Sequence, residues 1–266
     1  MTLSTGCGTP TAGPAGLLFF SMIGAIFSAA SLAFAAVRFC STPVPFASMR
    51  PHIVWDWNGT LFDDQPMVIA GLNDALAAAG LPPTDQATYQ RLYTRPVQVF
   101  YERLFGRQIG ASEWQVIDEA FHAGYREAIA DARLAADALD ALHRVEEAGI
   151  SQSLLSMYRH DDLLPLIERF AIAECFIRVD GLRGAGGGVK APHLEVHLER
   201  VAAANGGTPA EVLLIGDAKD DAAAAAHVGA ACVLYDGGSH PRHELEDTGF
   251  PVADSLTEAV ELAGWA

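Results

Sequence analysis

From Pro51 onward, short apolar runs alternate with longer stretches of helical periodicity. Short runs rich in apolar residues and followed by Gly, Asp or Ser read as buried strands, and the stretches between them as covering helices. This predicts strands at 52–55, 150–155, 175–179, 212–215 and 231–235, with a short edge strand at 251–253. Strands separated by helices indicate an α/β fold with a mostly parallel sheet. Asp56, Ser156 and the pair Gly216-Asp217 stand just beyond the carboxyl ends of three of these runs. That is where open α/β sheets place their ligands.

Residues 64–135 break the alternation, because no convincing strand occurs there. A helix over 67–79 is stopped by Gly80 and Pro82, and Pro96 must break or start a helix within 91–105. Ser112 followed by Gln115 has capping-box spacing and predicts a helix through Ala128. An all-helical insertion of this kind, between the first and second strands, reads as a cap. Residues 49–63 and 136–266 then form the core domain, and a helix over 137–147, closed by Gly149, returns the chain to it.

Residues 1–48 differ from the rest. Within them 15–37 is an uncharged apolar run long enough to span a bilayer, and the positive charges Arg38 and Arg50 follow it. On the positive-inside rule such a helix would leave the remainder in the cytoplasm. A second reading stays open: Met49 stands directly before the first strand, so translation starts there and the leader is no part of the protein. Both readings put the chemistry in the cytoplasm, and membrane contact is expected only if 15–37 is real. The oligomeric state has no signature in the sequence.

The formal net charge of −16 changes the picture further. A surface that acidic repels phosphate backbones, so a nucleic-acid partner is excluded from the expectation. A small phosphorylated metabolite is not, since one metal-bearing pocket overrides the overall field locally. The four cysteines, Cys7, Cys40, Cys175 and Cys232, form no CxxC pair, and the latter two read as buried hydrophobes in a reducing compartment.

The candidate chemistry starts at Asp56, where a carboxylate at a strand end is followed by the turn Trp57-Asn58-Gly59-Thr60. Such a carboxylate can meet a ligand resting on the loop's N–H groups. Ser156 has a hydroxyl suited to a phosphate oxygen. The only lysines are Lys190 and Lys219 in a chain that otherwise uses Arg, and Lys190 lies at the mouth of the Gly-rich loop 184–188. A compact point charge there suits a phosphate, whereas Lys219 reads as solvent-exposed. Asp217, Asp220 and Asp221 follow an apolar strand; clustered carboxylates are costly unless solvated or neutralised by a cation, and hard oxygen ligands suit Mg²⁺.

Taken in this order, the four motifs resemble the haloacid dehalogenase superfamily, in its phosphoglycolate-phosphatase-like branch with a small helical cap. The resemblance extends from Met49 almost to the end of the chain. It implies a Rossmann-like parallel-sheet core and a phosphoric monoester hydrolase working through a phosphoaspartate. Asp56 would be the nucleophile, and Mg²⁺ would be held by Asp56, the backbone carbonyl of Asn58 and Asp217, with Asp221 in support. Ser156 and Lys190 would bind the transferring phosphoryl group, and Thr60 and Arg95 join them as expected substrate contacts. Arg91, Arg95, Arg103 and Arg107 near Tyr93 and Tyr101 make a set suited to an anionic metabolite.

One position departs from the family. Its phosphatases carry a second Asp two residues after the nucleophile, as general acid and then base; here that residue is Asn58, which exchanges no proton at neutral pH. General acid–base help is worth about 10²- to 10⁴-fold. Asp63 or Asp64 is the nearest substitute in sequence. The alternative is a weakly active or non-catalytic phosphate-binding module. A phosphonatase would need a cap lysine, and 64–135 contains none. His193 and His197 do not form HExxH, and 184–190 does not form a P-loop; both histidines read as ordinary helix residues.

Overall fold

In the computed structural model, residues 51–94, 96–184 and 188–264 are described. The leader 1–48, with its apolar run 15–37, and Arg95 lie outside the described residues. Among the described residues no helix is long and apolar enough to cross a membrane. The chain begins with β1 (His52–Trp55) and β2 (Phe62–Asp63), then helices α1 (Gln65–Ala78), α2 (Gln86–Leu92), α3 (Val97–Phe105) and α4 (Ala111–Ala128). It returns through β3 (Arg133–Leu134), α5 (Ala138–Glu147), β4 (Ser151–Arg159), α6 (His160–Arg169), β5 (Val179–Leu182) and α7 (Ala191–Asn205). It closes with β6 (Val212–Gly216), α8 (Lys219–Val228), β7 (Ala231–Tyr235), α9 (Arg242–Glu246), β8 (Val252–Ala253) and α10 (Leu256–Leu262).

Six strands form one sheet in the order β5-β4-β1-β6-β7-β8, with every pairing parallel. The α/β fold expected from the alternation is therefore present. Both faces of β1 are buried, and alternation of its side chains splits the core. Ile53 and Trp55 pack with Leu142, Leu163, Ile167 and Val260 on one face. Val54 packs with Leu194, Ala222, Ala225 and Leu245 on the other. The segment carrying α1 to α4 has an apolar cluster of its own, including Leu72, Leu76, Phe100 and Ile117. It leaves and rejoins the core through the two-stranded antiparallel ribbon β2–β3. That ribbon corrects the expectation of no strand within 64–135, because two residues of ladder leave no alternation to read.

Three boundaries also move. The second strand continues through Ser156 to Arg159, pairing with β5 across an irregularity between Leu155 and Arg159. The third begins at Val179, whereas Ala173–Cys175 is a 3₁₀ turn. Ser112 does not cap α4, since Gly110 is the N-cap residue and its carbonyl accepts from Trp114 N at 2.8 Å. Pro96 opens α3, as its fixed φ allows. Cys232 is buried as expected, but Cys175 is only partly so.

A polar chain that no local pattern announces crosses the interior beside β1. His52 Nδ1 meets Ser151 Oγ at 2.8 Å and His52 Nε2 meets Ser153 Oγ at 2.7 Å. Ser153 Oγ meets His197 Nε2 at 2.7 Å, and His197 Nδ1 meets Asp180 Oδ2 at 2.8 Å. Asp180 also takes Arg178 at 2.5 Å and Arg200 at 3.3 Å. His197 is thus a buried network member rather than an ordinary helix residue. The bond to Asp180 makes His197 Nδ1 a donor, so Ser153 donates to His197 Nε2 and accepts from His52 Nε2.

Burial, followed by the charge of His197, lowers His52 to about 4, and burial lowers His197 below its ordinary value. A histidine with a depressed folded pKa takes up protons first when unfolded. Its contribution is full above about pH 6.5 and is lost as pH falls toward the folded value. Ser153→Ala should orphan both imidazole nitrogens, at about 1–3 kcal/mol for each unmade bond. Urea denaturation at neutral pH checks this; an unchanged midpoint would show the chain to be dispensable.

Candidate active site

The strand β1 delivers Asp56 to the carboxyl edge of the sheet, where its N–H donates to the Ile215 carbonyl at 2.8 Å. The chain then turns sharply. Thr60 N and Phe62 N both donate to the Trp57 carbonyl, at 3.2 and 2.9 Å, and Gly59 N donates to the Phe62 carbonyl at 3.0 Å. Trp57 and Phe62 stack in the core with centroids 4.9 Å apart, which fixes the turn from below. Gly59 has φ 73, and a Cβ there would strike the Asp217 carboxylate. Only glycine meets both demands.

Because β1 and β6 are parallel neighbours with Trp55 opposite Ile215, Asp56 and Asp217 emerge side by side. Asp221, in the first turn of α8, joins them, and one oxygen from each of the three lies within 4.8 Å of the others. All three are buried. Burial, then the neighbouring carboxylates, pushes Asp56 and Asp217 well above the usual carboxylate range, with Lys190 partly offsetting this at Asp56. Lys190, itself 2% exposed, forms ion pairs with Asp56 and, at 2.5 Å, with Asp221. Burial alone would lower the Lys190 ammonium's pKa, but Asp221 and Asp56 more than compensate and hold it above its ordinary value. Three clustered carboxylates facing one ammonium leave an excess of buried negative charge. An all-oxygen donor set with that excess fits a divalent cation.

Several residues have more specific places than the sequence suggests. Asp221 Oδ2 accepts from Ala218 N at 3.0 Å while its Oδ1 takes Lys190, so it anchors both the loop and the lysine. Asp220 accepts from Lys190 N at 3.0 Å. The hydroxyl of Thr60, an expected substrate contact, is wholly buried and lies 3.3 Å from Asp56 Oδ2 and 3.4 Å from Asp217 Oδ1, where it can hydrogen-bond either acid. Ser156 Oγ accepts from Tyr158 N at 2.9 Å and lies 3.5 Å from Asn58 Oδ1. Lys219 is half-exposed and pairs with Glu244.

At Asn58 the structure separates the two candidate substitutes. Asp63 is exposed in β2, whereas Asp64 is buried and its Oδ2 accepts from Asn58 Nδ2 at 2.8 Å. Tyr125, from α4, donates to the same Asp64 oxygen at 3.2 Å. Burial raises Asp64 to about 6, against the opposing bonds from Asn58 and Tyr125. Sequence reasoning missed Tyr125, a residue of an ordinary amphipathic helix. It also missed Ser239, whose N and Oγ each donate to Asp217 Oδ2 at 2.7 Å. Its signal was available: a small polar residue just past β7, at the sheet's carboxyl edge. Of the arginine set, the described members Arg91, Arg103 and Arg107 make no ion pair with the clustered carboxylates. Arg91, Arg103 and Arg107 are exposed, with Arg107 paired to Glu113 and Arg91 bonded to Thr88.

The sequence model for haloacid dehalogenase-like hydrolases matches residues 51–229. A phosphoglycolate phosphatase of Mesorhizobium japonicum is 29% identical over 221 residues, covering 80% of this chain and 95% of that protein. Phosphoglycolate phosphatase 1 of Pseudomonas aeruginosa is 25% identical over 83% of each. Among solved structures, a haloacid dehalogenase-like family hydrolase from Streptococcus pneumoniae has a TM-score of 0.67 at 17% identity. That match covers 79% of this chain and 97% of the other, and shows a shared fold.

Because burial and mutual repulsion raise Asp56 and Asp217, protons compete with a cation for their oxygens as pH falls. Mg²⁺ should raise the melting temperature more at about pH 8 than at about pH 5, since protons occupy the ligand oxygens as pH falls. Calorimetric melting at both values checks this, and a shift independent of pH would place the cation elsewhere.

Proposed function

The chain belongs to the haloacid dehalogenase-like hydrolases, and on that footing we propose that it is a Mg²⁺-dependent phosphatase of a small phosphomonoester, acting through a phosphoaspartate at Asp56. The observation that carries this reading is the buried meeting of Asp56, Asp217 and Asp221 around Lys190. The names of the phosphoglycolate phosphatases it resembles support phosphoglycolate or a similar ester as the substrate. The helical segment between β2 and β3 serves as the cap in this reading, with Tyr125 reaching the catalytic loop.

Asp56, the Asn58 carbonyl and Asp217 would hold Mg²⁺. When bound, the ion neutralises phosphoryl charge and aligns the ester for in-line attack. An Asp56 carboxylate oxygen attacks phosphorus, the ester P–O bond breaks, and the alcohol leaves with a proton. Water then attacks the acyl phosphate, releasing inorganic phosphate and restoring Asp56. Lys190 and Ser156 bind the phosphoryl oxygens throughout. Thr60 and Asp221 hold the nucleophile and the lysine in place.

The proton-transfer role passes from position 58 to Asp64. It is the carboxylate that grips the Asn58 side chain, and a pKa of about 6 suits exchange near neutrality. Asp64→Asn should therefore slow hydrolysis of an alkyl phosphate by about 10²- to 10⁴-fold. The same change should barely affect nitrophenyl phosphate, whose leaving group needs little protonation. Asn58→Asp alone sets two carboxylates side by side and should not help; in the Asp64→Asn background it should restore turnover. Steady-state kinetics on both esters, after mass spectrometry has excluded deamidation at Asn58-Gly59, checks the set. Equal rates for wild type and Asp64→Asn on the alkyl ester would remove Asp64 from the reaction. Binding of phosphate analogues without any turnover would replace the enzyme with a binding module.

A further inference from the structure

The segment joining β7 to α9 touches both the helical insertion and the carboxylate cluster. On the core side, Ser239 gives Asp217 Oδ2 two hydrogen bonds, from its amide and its hydroxyl, each 2.7 Å long. Gly238 lies flat against the same carboxylate, and a Cβ there would overlap it. With Oδ2 held in this way, the other oxygen, Oδ1, is the one that shares the Thr60 hydroxyl with Asp56. Ser239 therefore holds the rotation of the Asp217 carboxylate, with one oxygen toward itself and the other toward the Thr60 hydroxyl.

On the insertion side, Gln90 in α2 donates from Nε2 to the Gly238 carbonyl at 2.9 Å. The Tyr93 ring at the end of α2 packs edge-on against His240, with centroids 5.5 Å apart. His240 Nδ1 is 3.2 Å from Ser239 Oγ. The hydroxyl proton of Ser239 goes to Asp217, so His240 is the donor in that contact. Tyr93 also packs on Tyr89 and Phe100, which belong to the insertion's own apolar cluster. Two contacts from α2 thus bracket the residue that fixes Asp217.

We propose that Ser239 is a positioning residue for Asp217, and that docking of α2 through Gln90 and Tyr93 is coupled to cation binding through the loop carrying Gly238, Ser239 and His240. This rests on the reading of Asp217 as a cation ligand given above. The coupling is reciprocal by linkage: whatever the docked insertion adds to cation affinity, the cation returns to docking. Gln90 touches none of the carboxylates, and its effect on the cation travels only through the Gly238 carbonyl and the Ser239 peptide. An insertion that loosens from the core would release the loop, free Asp217 to rotate, and weaken the cation site as product leaves.

The test is titration of the full-length protein with Mg²⁺ by isothermal calorimetry, without substrate. Ser239→Ala should weaken Mg²⁺ roughly tenfold, and Gln90→Ala about fivefold, within the span usual for coupled sites. Ser239→Thr, which keeps the hydroxyl, should restore most of the affinity. Circular dichroism melting of each variant separates these effects from unfolding. In wild type, Mg²⁺ should also slow amide exchange in residues 86–92, where no ligand lies. Wild-type Mg²⁺ affinity in Gln90→Ala, with exchange in 86–92 unmoved by the ion, would overturn the coupling and leave the phosphatase reading intact. Failure of the wild-type protein to bind Mg²⁺ at all would overturn both.

Discussion

Three carboxylates are buried at one end of a parallel sheet, and one lysine is buried with them. Like charges at such separations repel strongly in a poorly solvated site, so the cluster persists only if protons, ammonium groups or a cation neutralise it. Lys190 supplies part of that neutralisation by pairing with Asp56 and Asp221. Burial and mutual repulsion raise Asp56 and Asp217 above the usual carboxylate range, so the remainder falls to protons or to the divalent ion that the proposed function invokes. The surroundings follow from the same requirement. Gly59 and Gly238 make room for Asp217, the Thr60 hydroxyl lies between two acids, and Ser239 and Ala218 N–H groups hold the outer oxygens.

Much of this was legible in the sequence because it depends on local pattern. The run 231–235 coincides with β7, since an apolar stretch ends at Gly229 and Asp236 leaves little latitude. Asp56 and Asp217 were visible as polar residues at the ends of strongly apolar runs. The third strand slipped because Cys175, Phe176 and Ile177 are as apolar as the ladder itself. Sheet bonding begins only where Ile177 N donates to the Gln152 carbonyl. Partners far apart in the chain stayed invisible. His52 lies about a hundred residues from Ser153, and nothing in either neighbourhood announces the bond.

The substitution at position 58 shows the same division. The sequence shows that the usual acid is missing and names two neighbours as replacements. Choosing between them needs the turn that follows β2, which leaves Asp63 at the surface and sends Asp64 inward to Asn58 and Tyr125. The insertion thereby touches the chemistry twice, at Asp64 through α4 and at Gly238 through α2. A carboxylate two residues past the nucleophile would work without either contact. In the proposed mechanism, placing proton transfer on Asp64 would tie it to Tyr125, which the insertion supplies.

The central claim is that Asp56 becomes covalently phosphorylated. Its most direct test is rapid acid quench of the Mg²⁺-loaded protein during turnover of a phosphomonoester, followed by borohydride reduction and peptide mass spectrometry. The account predicts acyl-phosphate reduction at Asp56, seen as a homoserine in the peptide that contains Trp55 and Trp57, and at no other carboxylate. Turnover with Asp56 unmodified at every quench time, or with the label on Asp64 or Asp217, would contradict it.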